Sequence, residues 1–169
     1  KISSIISQII TIDHAGSVSR VGERLRDLYR IAARKNAFIN LDMEEYRDLA
    51  ITVDVFKEIL DEPEFERLNA GIVLQAYLPE SHEYFDELVD WAQARYARAG
   101  GTIKIRLVKG ANLAMEKAEA QLHGYSPAPY RSKAEVDASY VRLIDTALRT
   151  ENYPAVRIGV ASHNLFHIA

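Results

Sequence analysis

Along the chain, apolar positions spaced by three or four residues alternate with short runs in which apolar residues recur every second position or stand together. The first period belongs to helices with one buried face and the second to strands. The opening "KISSIIS" (Lys1–Ser7) has the look of a strand end. Ser17–Asn36 is predicted helical, with Val18, Val21, Leu25, Leu28 and Ile31 on one face, and Ala37–Met43 is predicted to be a strand. A helix over Glu44–Leu60 stops at Asp61-Glu62-Pro63, and a strand over Gly71–Tyr77 follows. Pro79-Glu80-Ser81 supplies a turn and an N-cap for a helix over Ser81–Ala99, which Gly100-Gly101 closes. Next come a strand carrying Ile103, Ile105 and Leu107, a helix near Ala114–Leu122, and a loop with Gly124, Pro127 and Pro129. A helix over Ser132–Arg149 and a strand over Val156–Ala161 complete the pattern.

Strands separated by helices at this spacing are βα units, and right-handed crossovers between them give a parallel sheet. Two α/β architectures compete, an open doubly wound sheet and a (β/α)8 TIM-like barrel. A nucleotide-binding open sheet carries a glycine-rich turn after its first strand, and neither GxGxxG nor a Walker loop occurs here. Instead the predicted strands run into polar groups: Asp42, Gln75, Arg106 with Lys109, and Ser162-His163-Asn164. A barrel gathers all strand C-termini on one face and builds its active site there, so this distribution favours the barrel.

Composition narrows the chemistry. Of 169 residues, 48% are hydrophobic and 27% charged, as in a globular unit, and the formal net charge of −3 offers no basic excess for nucleic acid. The absence of Cys excludes a disulfide framework, a thiol nucleophile and thiolate metal sites, and agrees with a reducing, cytoplasmic setting. No uncharged apolar run approaches the roughly 18 residues of a spanning helix. Apart from His163, the histidines His14, His82, His123 and His167 show no metal-ligand spacing, and no metal site is expected.

Each polar strand end also has a structural reading. Asp42 could cap the helix expected from Glu44, Gln75 could satisfy backbone groups in a packed sheet, and His163-Asn164 could form a turn. Arg106 is harder to dismiss. If Ile105 and Leu107 face the helices, Arg106 points into the barrel, where an unpaired cation costs several kcal/mol. It must meet either a carboxylate such as Asp42 or a bound anionic or strongly accepting ligand. Lys109, the flexible Gly110 and the free N–H groups of the helix beyond Asn112 suit a phosphate or pyrophosphate, hence a flavin or another nucleotide. A Lys at a barrel strand end also fits a Schiff-base aldolase with Lys109 as nucleophile, and a non-catalytic assembly domain is a third reading.

The blocks "FINLDMEEY", "VLQAYLPES", "IRLVKGAN", "PYRSKAEVDASY" and "ASHN", in this order and at these distances, resemble the proline dehydrogenase family, in particular the flavoenzyme domain of bifunctional proline utilisation A proteins. The resemblance spans nearly the whole chain. It implies a distorted (β/α)8 barrel that binds FAD, oxidises L-proline to Δ1-pyrroline-5-carboxylate and passes electrons to a quinone. It also leaves room for a peripheral association of the parent protein with the inner membrane and for a fused or partner aldehyde dehydrogenase domain.

By the same resemblance, Arg106 lies near the reactive edge of the flavin and stabilises negative charge there, while Lys109, Gly110 and Ala111 contact the phosphates and ribityl chain. Gln75 hydrogen-bonds the flavin and Met43 lies beside it. Asp42 shapes the proline pocket, Lys1, if "KISSI" aligns with the family's "KLSAL"-like strand, is the lysine near the substrate carboxylate, and Leu107 packs beside the proline ring. Ser162 and His163 fall on a cofactor turn, and Lys133 on a segment near the adenosine phosphates. Many members read "KGAYW" where this chain reads "KGANL", so Asn112 removes an aromatic wall. The family's last strands and a carboxylate-gripping arginine pair have no counterpart before Ala169, and about five βα units cannot close an eight-stranded barrel. The chain is therefore expected to be the middle of a longer polypeptide, with residues 1–169 a partial FAD-binding barrel lacking its first and last strands.

Overall fold

The computed structural model describes residues 1–167. Four strands, β1 (Ile39–Leu41), β2 (Ala70–Gln75), β3 (Ile103–Val108) and β4 (Val156–Val160), form one parallel sheet in the order β1-β2-β3-β4. Five helices connect and flank them: α1 (His14–Lys35), α2 (Leu49–Leu60), α3 (Ser81–Ala99), α4 (Leu113–His123) and α5 (Lys133–Ala147). Strand order follows chain order without a switch point, which is barrel topology rather than that of a doubly wound sheet.

Burial follows the alternation of β3. Ile103, Ile105 and Leu107 are buried under the helices, whereas Lys104 and Arg106 face the open side of the sheet. The core lies between the sheet's outer face and the helices, with Ile72 and Leu74 of β2, Phe56 and Ile59 of α2, Phe85 and Leu88 of α3, and Tyr140 and Leu143 of α5 all at 1% exposure or less. Burying each such side chain contributes roughly 1.5–3 kcal/mol before entropy is counted.

Local signals explain the element ends. Asp13 caps α1 by accepting from Gly16 N–H at 3.2 Å, one turn before the expected start at Ser17, and Asn36 ends it in the left-handed conformation. Its buried face is Val18, Val21, Leu25, Tyr29 and Ala32, whereas Leu28 and Ile31, expected on that face, are 40% and 48% exposed. Holding 3.6 residues per turn from Val18 leads to Tyr29, and Leu28 drifts off the stripe. Ser132 and Glu135 form a reciprocal capping box on α5. Ser81 does not cap α3; its hydroxyl donates to the Gln75 carbonyl at 2.7 Å and ties the helix to the end of β2.

Two further expectations change. "KISSI" contains no strand: Ile2–Ser4 is a single 3-10 turn with Ile2 buried, so the sheet has four strands rather than five. Residues 42 and 43 are not part of the strand, and 44 and 45 are not helical either. After β1 they run as a loop to a 3-10 turn at Tyr46–Asp48, and only then does α2 begin. Spacing of apolar residues cannot separate a 3-10 turn or loop from a helix's first turn.

Arg95 is the largest fully buried side chain. Its guanidinium donates to the carbonyls of Leu60, Phe65 and Leu68 at 3.1, 2.8 and 2.9 Å and stacks over Trp91, stitching the C-terminus of α2 to the loop before β2.

Candidate active site

The C-terminal ends of the strands surround a cavity of about 610 Å³. β1 delivers Asp42 and Met43, β2 Gln75, β3 Arg106 and Val108 followed by Lys109–Asn112, and β4 Val160 followed by Ala161, Ser162 and His163; Lys1 closes the rim. Parallel strands in register place all of these on one face, with Arg106 level with Val73 and Gly159. Gly159 lies directly beside the Arg106 stem, where a Cβ would meet the Arg106 Cβ at 3.5 Å.

The cavity gathers Lys1, Asp42, Met43, Gln75, Arg106, Lys109, Gly110, Ala111, Ser162 and His163, which the sequence singled out. Two others do not join it. Leu107 is fully buried on the outer face of β3, because a strand residue next to Arg106 points the opposite way, and it does not line the cavity. Lys133 is the exposed first residue of α5, outside the lining.

Arg106 and Asp42 face each other at 3.9 Å, beyond hydrogen-bonding distance, and their side chains are 48% and 41% exposed. Asp42 caps no helix; the cap positions nearby belong to Glu45 and Asp48. Arg106 is therefore neither desolvated nor locked in a pair, and both groups are available to a ligand.

Lys109 is engaged. Its ammonium bonds the Asp137 carboxylate on α5 and sits 5.6 Å from the centre of the Tyr140 ring. The same hydrogen bond is the main cause holding the Asp137 carboxyl below its usual range. The bond turns the Lys109 nitrogen toward α5, on the wall of the cavity. Tyr140 also packs on His167, whose Nδ1 lies 3.1 Å from the Ser162 hydroxyl, so a polar cluster backs the cavity wall from Lys109 to Ser162. Sequence reading missed Asp137, Tyr140 and His167, because their relation to Lys109 exists only after α5 packs on β3.

Gln75 is 2% exposed; its amide nitrogen donates to the Glu44 carbonyl at 3.2 Å, and its side-chain oxygen has no partner. A buried amide oxygen left unpaired beside a cavity is an acceptor waiting for a donor from a ligand. Gly110 has φ of +138°, and a Cβ there would lie 2.4 Å from the Tyr77 ring. The glycine is thus required by the crossing of the backbone over Tyr77, a reason distinct from ligand approach alone. The α4 N-terminus lacks a side-chain cap, since Asn112 donates instead to the Glu44 carbonyl at 2.8 Å. Lys1 pairs with the Glu44 carboxylate at 3.3 Å, and the Ser3 hydroxyl bonds the same carboxylate. The Ser3 bond, followed by Lys1, keeps the Glu44 carboxyl below its ordinary range against the opposing effect of burial.

A parallel βα sheet with a mouth of this composition defines the class of an α/β-barrel protein with a cation-lined site at its strand C-termini. The chain belongs to the proline dehydrogenase family, whose model matches residues 2–169. It is 34% identical over 150 residues to the bifunctional protein PutA of Escherichia coli, covering 86% of this chain and 11% of that protein. It is also 34% identical over 133 residues to the proline dehydrogenase of Deinococcus radiodurans, covering 79% of this chain and 34% of that one. Among solved structures, proline utilization A from Corynebacterium freiburgense superposes with a TM-score of 0.96 at 53% identity, over 99% of this chain and 18% of that one. The Bdellovibrio bacteriovorus protein, inactivated by N-propargylglycine, gives 0.91 at 38%, over 99% and 17%. The chain thus spans a small part of each of these relatives. Among the described residues, no helix is long and apolar enough to cross a membrane.

Proposed function

We propose that the protein oxidises L-proline to Δ1-pyrroline-5-carboxylate with FAD as its cofactor and a quinone as electron acceptor. The observation that carries this reading is the convergence, in a proline dehydrogenase family member, of Asp42, Met43, Gln75, Arg106, Lys109–Ala111, Ser162 and His163 on one cavity. The family membership of relatives named proline dehydrogenase and PutA supports the substrate. The domain reading goes with it: residues 1–169 supply central βα units of a barrel within a longer polypeptide, which in a PutA-like protein includes an aldehyde dehydrogenase domain.

The residues fit a flavin nucleotide. The unpaired Gln75 oxygen offers an acceptor to a ring N–H, and the backbone at Gly110–Ala111 with the uncapped α4 N-terminus suits phosphate oxygens. Lys109, fixed by Asp137, lends positive charge to the same wall. When bound, the flavin supplies the acceptor for the hydride equivalent leaving the proline ring. Arg106 stabilises negative charge as it builds up in the site, and its partial exposure leaves its N–H groups free to do so. Lys1 attracts the substrate carboxylate, and Asp42 accepts from the substrate amine and orients it.

The test is the visible absorption spectrum of the purified full-length protein. Flavin bands that bleach on addition of L-proline are the expected result. A colourless protein, or flavin bands indifferent to proline, would overturn the proposal.

A further inference from the structure

Glu44 stands just behind the cavity lining, and four hydrogen bonds converge on it. Its backbone carbonyl accepts from Gln75 Nε2 at 3.2 Å and from Asn112 Nδ2 at 2.8 Å. Its carboxylate accepts from Lys1 Nζ at 3.3 Å and from the Ser3 hydroxyl. One residue thereby joins the N-terminal turn, the loop after β1, the end of β2 and the start of α4.

Lys1 is the member with most freedom to lose. Its side chain is 42% exposed on a four-carbon stem, and without a partner it would sample many rotamers in water. An ammonium has three N–H donors; the Glu44 carboxylate occupies one and leaves two for the cavity. Asn112 has a matching structural part: its amide, in hydrogen bond with the Glu44 carbonyl, holds the α4 start against the loop that carries Asp42 and Met43.

We propose that Glu44 is a positioning residue whose carboxylate holds the Lys1 ammonium at the cavity rim, ready for the carboxylate of a small cyclic amino acid. The inference rests on the proposed function. Binding to a lysine already ordered avoids the entropy of fixing it at the moment of association, which favours affinity. The Glu44 charge also repels an incoming carboxylate, but the ammonium lies between the two anions and water screens what remains. Ordering is therefore the larger effect.

The test uses the full-length protein with Glu44→Ala, Glu44→Gln, Lys1→Met and the double variant Lys1→Met/Glu44→Ala. The readouts are KM and kcat for L-proline and the Kd of cyclopentanecarboxylate, a carboxylate with a five-membered ring and no oxidisable amine. Glu44→Ala is expected to raise KM and Kd about 5- to 10-fold, in keeping with the loss of order in one rotamer-rich side chain, while kcat and flavin content stay near those of the parent. Glu44→Gln, which keeps an oxygen for Lys1 and Ser3, should fall between parent and Ala. The double variant should match Lys1→Met within about twofold, since Glu44 acts through Lys1. Additive losses in the double variant, unchanged KM and Kd in Glu44→Ala, or a fall in kcat and flavin content alongside KM would each overturn the proposal. A parent that neither oxidises proline nor binds the probe overturns the functional reading itself, whatever the variants do.

Discussion

Replacing Arg106 with Met separates a structural role for this cation from a chemical one. The pair with Asp42 spans 3.9 Å without a hydrogen bond, and both side chains are close to half exposed. In water-like dielectric, two unit charges at that distance attract by about 1 kcal/mol, and side-chain entropy takes back much of it. The methionine keeps the length of the stem and its packing beside Gly159. Stability should therefore fall by less than about 1 kcal/mol, a shift in melting temperature of no more than about 4 °C. Activity should behave quite differently. A preorganised group that stabilises charge in the transition state is worth on the order of 100-fold or more in kcat. Thermal unfolding followed by fluorescence, beside proline-dependent dye reduction by the same preparations, gives both numbers. Parental turnover in Arg106→Met would refute the reasoning, and a drop of 10 °C or more would show that the arginine is a structural member after all.

Asp42→Asn should raise KM for proline about 10- to 100-fold, the worth of one charge-assisted contact, with a melting temperature near parental because Asp42 caps no helix; steady-state kinetics with a melt decide between them. Arg95→Met deprives three backbone carbonyls of their buried donor and should cost about 3 kcal/mol or more, read as a clear drop in melting temperature while the folded fraction retains its kcat. Asp48 is buried, with one carboxylate oxygen unpaired, and burial followed by the neighbouring Glu45 holds its pKa above the ordinary 3.8. A carboxyl raised in this way favours the fold in its protonated form, so its contribution is full below pH 3.8 and is lost as pH rises through the raised value. Asp48→Asn should thus be more stable than the parent at pH 8, with the gap narrowing in melts taken toward pH 4; a constant gap would contradict the assignment.

The βα repeat was legible because each helix and strand announces its buried face through a short-range period. The side of β3 on which Arg106 lies follows from the same alternation, which turns Leu107 to the helix side. "KISSI" misled because three isoleucines in seven residues look alike whether they line a strand or, as Ile2 does, fill one hole beneath a 3-10 turn. The mouth of the cavity was readable at strand ends, where polar residues interrupt apolar runs. Its supporting contacts were not. Asp137 reaches Lys109 across 28 positions of chain, and Glu44 gathers Gln75 and Asn112 from 31 and 68 positions away. Such partners are fixed by how helices settle on the sheet, and no local period encodes that. Gly110 belongs to both groups: its need for an unusual backbone was evident, while the ring of Tyr77 that enforces it was not.

The sheet order β1-β2-β3-β4 also bears on how the chain is made. Among the described residues, β2, β3 and β4 each pair with the strand synthesised immediately before them, so none of the three has to wait for a partner still to be translated. Each βα unit can dock on a finished neighbour as it emerges, and the loop to be closed at each step is one crossover long, which keeps the entropic cost of each closure small. Assembly can proceed from the N-terminal end one unit at a time, at the pace of translation. β1, β2 and β3 each present an edge of unsatisfied backbone to the new chain, and each is covered in turn by the next strand to arrive.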